Sequence, residues 1–469
     1  MQRLVLILFF TSGLWAQSYS TYFNNNAMRI DYFHSGTKDQ EHFSIDQIYD
    51  AGPWAGSKKN LISNLNLGEY QLRIFDLASS KLIYSRGYST FFNEWQTTSE
   101  AKENWKSINE TLLIPMPKNK IQLAVYRRDK KMSFREVYAT IIDPALPTTT
   151  NMAVNKPGYK VTALMKNGDP EDKVDIVIVG DGYAKDDIDQ FRKDAKYYND
   201  VMFNTSPFKE RKNDFNVWMV EVISAESGIS KPDKGIWKNS VLGCQYNTFG
   251  SARYILTENN KAVRDAAGLV PYDYVNILIN DDRYGGGGIY NLYTTTYMRV
   301  DTKGQEWQME YVYVHEFGHA FAGLGDEYYS SSTGYDEFYS KGVEPWEPNI
   351  TALLNPPNIK WKKFVDKDTP IPTPWEKEEY DSIATERAKL DRLAPDYYEK
   401  REPFITKQND ILKKNRYAGK VGAFEGAGYE SHGLYRPSLD CRMFSLSLVD
   451  FDPVCSATIE KVIDYLTGK

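Results

Sequence analysis

Four stretches in the first third of the chain alternate apolar and polar residues: Met28–Phe33, Tyr70–Phe75, Ile121–Tyr126 and Val137–Ile142. Side chains on a strand point alternately to opposite faces, so these runs predict antiparallel strands with one buried and one wet face. With polar turns between them they predict an all-β sandwich over residues 17–146. The texture then breaks. Asp143–Thr150 carries two prolines and a threonine run with no helical period, which predicts a linker and a boundary near Leu146. From Asp175 the apolar positions become continuous, at Ile176–Val179, Phe215–Val222 and Val275–Ile279. Strands covered on both faces read that way, and helical patterns separate them, so residues 147–469 are expected to form an α/β domain.

One apolar, aromatic stretch, Trp307–Val314, runs without Pro or Gly and leads into His315-Glu316-Phe317-Gly318-His319. It predicts a largely buried helix from about Gln305 to about Ala322. On that helix His319 stands about 40° round from His315 and one turn along, so both imidazoles reach one metal ion. Glu316 points about 100° from His315, beside the metal and free to take a proton from a water. Gly323 and Gly325 stop the helix and turn the chain, which delivers Asp326 as third ligand. Two imidazoles and one carboxylate suit a single catalytic Zn²⁺ with a position left open. Glu327 is the close rival of Asp326; its side chain should point away if the segment is extended. Glu337 is the option for a ligand arriving on a later helix.

The run His315–Tyr328 resembles the IgA-peptidase family of bacterial zinc metallopeptidases. More broadly it resembles metzincins, from whose pattern it departs by one residue inserted after His319. Further resemblance lies in Ile371–Pro374, Gly433–Ser438 and Cys441-Arg442-Met443, and the match runs from about Lys173 to the C-terminus. The resemblance implies a metzincin-like fold after a family-type N-terminal domain, and a secreted zinc endopeptidase in which Glu316 is the general base. It implies a turn whose Met443 forms an apolar floor under the metal. It also implies an edge strand that pairs with extended substrate, for which Gly288 and Tyr290 are the candidates; a hairpin turn is the plainer alternative. Metzincins that use a tyrosine on the oxyanion place it two residues after that methionine, where this chain has Ser445. Tyr435 is the substitute, with His432 a looser one.

Composition adds less. Net charge is −6 with mixed signs and no basic face, which gives no reason to expect a nucleic-acid partner. Arg3 and the apolar run Leu4–Phe10 predict a signal peptide over residues 1–16, too short to span a bilayer, and hence export to the periplasm, surface or medium. An exported chain with three cysteines, two of them bracketing the methionine turn, predicts a Cys441–Cys455 disulfide with Cys244 free. His34 and His42 read as ordinary histidines, and Asn109, Asn204 and Asn349 head glycosylation sequons. The competing reading is a secreted protein- or glycan-binding module with a relict metal site; an intact Glu316 speaks against it.

Overall fold

The computed structural model describes residues 19–146, 149–151, 158–299, 306–329, 338–390 and 396–469. The expected signal peptide and Glu337 lie outside them. Strands β1 (Phe23–Gly36), β2 (Glu41–Pro53), β3 (Tyr70–Asp76), β4 (Leu82–Tyr88), β5 (Lys106–Pro117), β6 (Ile121–Arg128) and β7 (Phe134–Ile142) build the N-terminal part, and the two-residue β8 (Thr150–Asn151) returns to it. They form two four-stranded sheets, ordered β5-β1-β2-β8 and β4-β3-β6-β7. All pairs are antiparallel except β2–β8. The alternation does what it predicts on β3 but not everywhere: on β7, at the edge of its sheet, Val137 and Ile141 are exposed, and on β1 Arg29 and Asp31 are buried as well as their apolar neighbours. On β3, Tyr70, Leu72 and Ile74 are buried while Gln71 and Arg73 are half-exposed. They meet Ile30, Tyr32, Ile114, Leu123 and Val125 in one core shared by both sheets.

The second part is built on a six-stranded mixed sheet. Its strands are β9 (Lys160–Met165), β10 (Val174–Asp181), β11 (Phe215–Glu221), β12 (Tyr274–Ile279), β13 (Gly286–Ile289) and β14 (Tyr293–Tyr297), in the order β13-β14-β12-β10-β11-β9. The inner pairs are parallel and the two outer pairs antiparallel. Every residue of β10 is buried, as its continuous apolar run requires. Ile176 and Ile178 enter the core on one face, and Val177 and Val179 a second core on the other.

The helix Trp307–Ala322 packs on the first of these faces, against β13 and β14. The glycines of β13 make that approach possible. A Cβ on Gly286 would stand 2.6 Å from Val312 Cγ1, and one on Gly288 would stand 2.3 Å from the Glu316 carbonyl oxygen. Helices Lys377–Ala388 and Tyr397–Lys414 pack on each other, and Pro453–Thr467 closes the chain against the central helix.

The two parts are joined by packing. Phe91, Phe92 and Trp95, from a short helix between β4 and β5, enter the second core of the C-terminal part. Ser89 donates its N–H to the Tyr290 carbonyl at 3.0 Å, and Arg29 pairs with Asp265 at 2.6 Å. An apolar interface of this kind holds domains in fixed relation. Among the described residues no helix is long and apolar enough to cross a membrane.

Candidate metal centre

The central helix presents His315 and His319 to one side of a cleft of about 1540 Å³ that residues of both parts line. Each imidazole is oriented from its far nitrogen. His315 Nδ1 lies 3.1 Å from the Arg442 carbonyl and 3.0 Å from the Tyr311 hydroxyl, and His319 Nδ1 lies 2.5 Å from the Leu324 carbonyl. A carbonyl can only accept, so both Nδ1 atoms carry the proton and both Nε2 lone pairs face the cleft.

Those lone pairs converge on Asp326. Its Oδ1 stands 2.9 Å from His315 Nε2 and 3.2 Å from His319 Nε2, and the two nitrogens are 3.1 Å apart. Three acceptor atoms facing one another in a buried pocket call for a cation between them. Oδ1 is buried without a hydrogen-bond donor. The donor set therefore fits a divalent metal such as zinc. Burial would raise the Asp326 carboxyl, but the His319 and His315 imidazoles outweigh it and hold the group well below the usual carboxylate range. Burial would likewise lower His319; Asp326 reverses this and lifts it to about 9, so a proton and a metal ion compete for the Nε2 lone pair.

The turn that delivers Asp326 has a local cause. Gly323 takes the left-handed conformation at φ 60° and closes the helix with its N–H on the His319 carbonyl at 3.0 Å. Gly325 has no positive φ. Its part is space, because a Cβ there would stand 2.5 Å from Ile350 Cδ1. The Asn349 side chain holds the Gly325 peptide groups from both sides, accepting at 2.7 Å and donating at 2.9 Å. Asn349 is fully buried in this role, so its sequon offers no accessible glycosylation site.

Glu316 is half-buried beside the two imidazoles and lines the cleft. Loss of solvation raises its carboxyl above the ordinary value, with the His315 and His319 rings acting against the rise. Met443 is completely buried, and a Cβ on Gly318 would stand 3.1 Å from its sulfur, so it packs under the metal helix.

Two models of known families match the sequence. Residues 162–463 match the IgA peptidase M64 model, and residues 18–139 match the Peptidase M64 N-terminus model. The chain belongs to the IgA peptidase M64 family. It is thus a peptidase with two family domains, a β-rich N-terminal one and a catalytic one, acting on polypeptide. No curated protein matches it.

Other predicted residues fall in different places within this M64 chain. Gly288 and Tyr290 line the cleft, though Tyr290 is buried and packs on Trp346. Tyr435 is not among the residues that line the cleft. It belongs to the second strand of a hairpin formed by β15 (Phe424–Ala427) and β16 (Glu430–Arg436), where its N–H and carbonyl pair with Thr351 at 2.9 and 3.1 Å. His432 is exposed, 3.5 Å from Glu425. Ser445 bonds to Asp440 at 2.6 Å. The tyrosine that reaches Asp326 is Tyr429, whose hydroxyl donates to Asp326 Oδ2. It is carried there by backbone bonds from Gly428 and Tyr429 N–H to the Asp326 and Tyr328 carbonyls, at 2.8 and 3.1 Å, and it holds a left-handed φ of 66°.

Glu327 turns away from the centre, fully buried, to Asn349 at 2.9 Å and Cys455 Sγ at 3.3 Å. The Cys441–Cys455 bridge is not formed. Both are thiols whose sulfurs stand 3.9 Å apart, where a disulfide needs about 2.05 Å. Cys244 is free and buried, as expected. His34 sits in a carboxylate network, 3.1 Å from both Glu41 and Glu110, and His42 stacks on Trp105.

Proposed function

We propose that this peptidase is an exported, zinc-dependent endopeptidase of metzincin-like architecture, with Glu316 as general base. The observation that carries the reading is the convergence of His315 Nε2, His319 Nε2 and Asp326 Oδ1, all lone pairs, beside the Glu316 carboxylate at the wall of a large cleft. An antiparallel edge strand before the metal helix and a methionine turn beneath it support the metzincin-like path. Zinc held by the three ligands would supply Lewis acidity to a water and to the scissile carbonyl.

The protein's own groups do the rest. Glu316 accepts the water proton and returns one to the leaving amine; its raised carboxyl pKa suits both tasks. Substrate lies extended along β13. Gly286 already turns its N–H and carbonyl outward, to the Arg253 carbonyl at 3.1 Å and the Ile255 N–H at 3.2 Å. By the two-residue period of a strand Gly288 turns its own outward too, and these are open to a peptide backbone. The cleft is also lined by Glu69, Arg127 and Arg128 of the N-terminal part and by Tyr380, Arg387 and Gln408 of the helical pair. Both therefore flank the path of a bound chain. The apolar run Leu4–Phe10 supports export.

The test is metal analysis together with cleavage mapping on a mixed protein substrate that includes immunoglobulin A. One catalytic zinc per chain, and cleavage abolished by a chelator and restored by zinc, is the expected result. Zinc-loaded protein that cuts no polypeptide would favour a binding module with a relict site.

A further inference from the structure

Beneath the catalytic centre lies a second cluster that the peptidase reaction does not use. Glu327, Cys441, Asp452 and Cys455 each bring one metal-ligating atom to within 4.8 Å of all the others, and all four are buried. We propose that this cluster is a structural metal site for a divalent transition cation, zinc in the first place, bound by two thiolates and two carboxylates.

Four observations support it. Two of the six spacings within the cluster are close to those of a coordination shell, and the others lie within 4.8 Å. Zinc–sulfur bonds of about 2.3 Å and zinc–oxygen bonds of about 2.0–2.2 Å give tetrahedral edges of roughly 3.3–3.8 Å. The Cys441–Cys455 sulfurs are 3.9 Å apart, and Cys455 Sγ is 3.3 Å from Glu327 Oε1. Next, one oxygen of each carboxylate is orphaned. Glu327 Oε2 and Asp452 Oδ2 are buried with no hydrogen-bond donor, although their partner oxygens are satisfied by Asn349 and by the N–H groups of Val454 and Cys455. Third, Cys441 Sγ accepts two backbone N–H groups, from Met443 at 3.5 Å and Asp452 at 3.4 Å, which favours a thiolate over a neutral thiol. Last, the cluster has a buried guanidinium acting on it, Arg436, stacked 3.8 Å from the Phe444 ring. With all four groups ionised, as metal ligands would be, one guanidinium could not offset them, and a divalent ion bound directly to them would.

Such an ion would tie three segments together: the turn after the metal helix, the loop before Met443, and the start of the last helix. Glu327 adjoins the ligand Asp326, and Cys441 adjoins Arg442, whose carbonyl orients His315. The second ion would hold the catalytic ligands in place from below without touching substrate.

The experiment uses the full chain carrying His315→Ala and His319→Ala, which removes the catalytic site and leaves the cluster intact. After exhaustive dialysis this variant should retain one zinc per chain. Exchanged with Co²⁺, it should show thiolate-to-cobalt charge-transfer absorption in the near ultraviolet. Adding Cys441→Ser and Cys455→Ser should take both the zinc and the band away. If those serine changes prevent folding, X-ray absorption of the histidine variant decides alone, since it sees sulfur neighbours only when the cysteines are ligands. A folded histidine variant that binds neither Zn²⁺ nor Co²⁺ overturns the proposal, whether its thiols are titratable or joined in a disulfide. This readout is separate from activity, so it stands or falls independently of the peptidase mechanism.

Discussion

Tyr429→Phe deletes one oxygen atom and leaves the ring to pack against Tyr328 and Phe338 as before. What is lost is the hydrogen bond from the Tyr429 hydroxyl to Asp326 Oδ2. A hydrogen bond to a charged group contributes about 1.5–3 kcal/mol, and breaking it leaves a buried carboxylate oxygen without its donor. Part of that cost falls on the metal-bound state, because the carboxylate then swings more freely and aims Oδ1 less well. Outer partners of metal ligands typically govern 10- to 100-fold in affinity, which is about 1.4–2.7 kcal/mol. The two figures agree. The expected outcome is a zinc dissociation constant raised by about 10- to 100-fold, measured by competition with a chromophoric chelator. At saturating zinc the peptidase rate should fall far less than the affinity does. An unchanged zinc affinity would refute the role given to Tyr429. A rate lost at full zinc occupancy would instead make its hydroxyl a group that touches the reacting atoms.

Glu316→Gln should keep zinc and fold but lower kcat by at least about 100-fold, since general-base catalysis contributes roughly 10²–10⁴; comparable turnover in zinc-loaded variant protein would sink the assignment. Gly288→Ala would put a Cβ 2.3 Å from the Glu316 carbonyl oxygen, so β13 must lift from the helix. Overpacking of that kind costs about 1–3 kcal/mol, seen as a lower urea midpoint together with a raised KM, and an unaffected variant would show the contact to be slack. Burial, with Asp273 nearby, lifts the Asp175 carboxyl to about 7. A folded pKa above the unfolded one means that this group's stability is greatest in acid and is lost as pH rises from about 4 to about 7. Asp175→Asn keeps the oxygen that accepts from Asn216 and Trp218 and removes that slope; parallel pH profiles of the urea midpoint for variant and wild type would refute the cause.

The catalytic helix was legible because its information is local. Two histidines and a glutamate within five residues, on an uninterrupted apolar run, fix their own geometry on any helix. The strand alternation was legible for the same reason. The groups that aim those ligands were not. His315 is oriented by the carbonyl of Arg442, and a carbonyl leaves no mark on sequence because every residue has one. Asn349 acts on Gly325 across 24 positions, and Tyr429 on Asp326 across 103. With 34 tyrosines in the chain, composition cannot pick the right one. Closeness to the methionine turn favoured Tyr435, but β16 pairs that residue with Thr351, and the position is taken by a tyrosine at the turn before the strand. The glycines of Gly426-Ala427-Gly428-Tyr429 were the available hint, since the left-handed φ values at Gly426, Gly428 and Tyr429 mark the bend that brings the hydroxyl in.

The spacing from His319 to Asp326 is set by the helix cap, which takes its geometry from the histidine itself. The Gly323 N–H closes on the carbonyl of His319 while the Leu324 carbonyl takes the proton of the same residue's imidazole. Helix end and ligand orientation are therefore one event, and the chain leaves along a path measured from His319. From there the segment pairs with two partners. The Asp326 and Tyr328 carbonyls accept from Gly428 and Tyr429, and the Glu327 N–H donates to the Met443 carbonyl. Successive side chains of an extended segment point to opposite sides. Asp326 consequently enters the catalytic centre and Glu327 the cluster below it. The loop at 441–443 divides in the same way: Cys441 faces the lower cluster, the Arg442 carbonyl holds His315, and Met443 supports Gly318. Two adjacent carboxylates thus face two different clusters, and a change in the lower one has only a single peptide unit to cross before it moves Asp326.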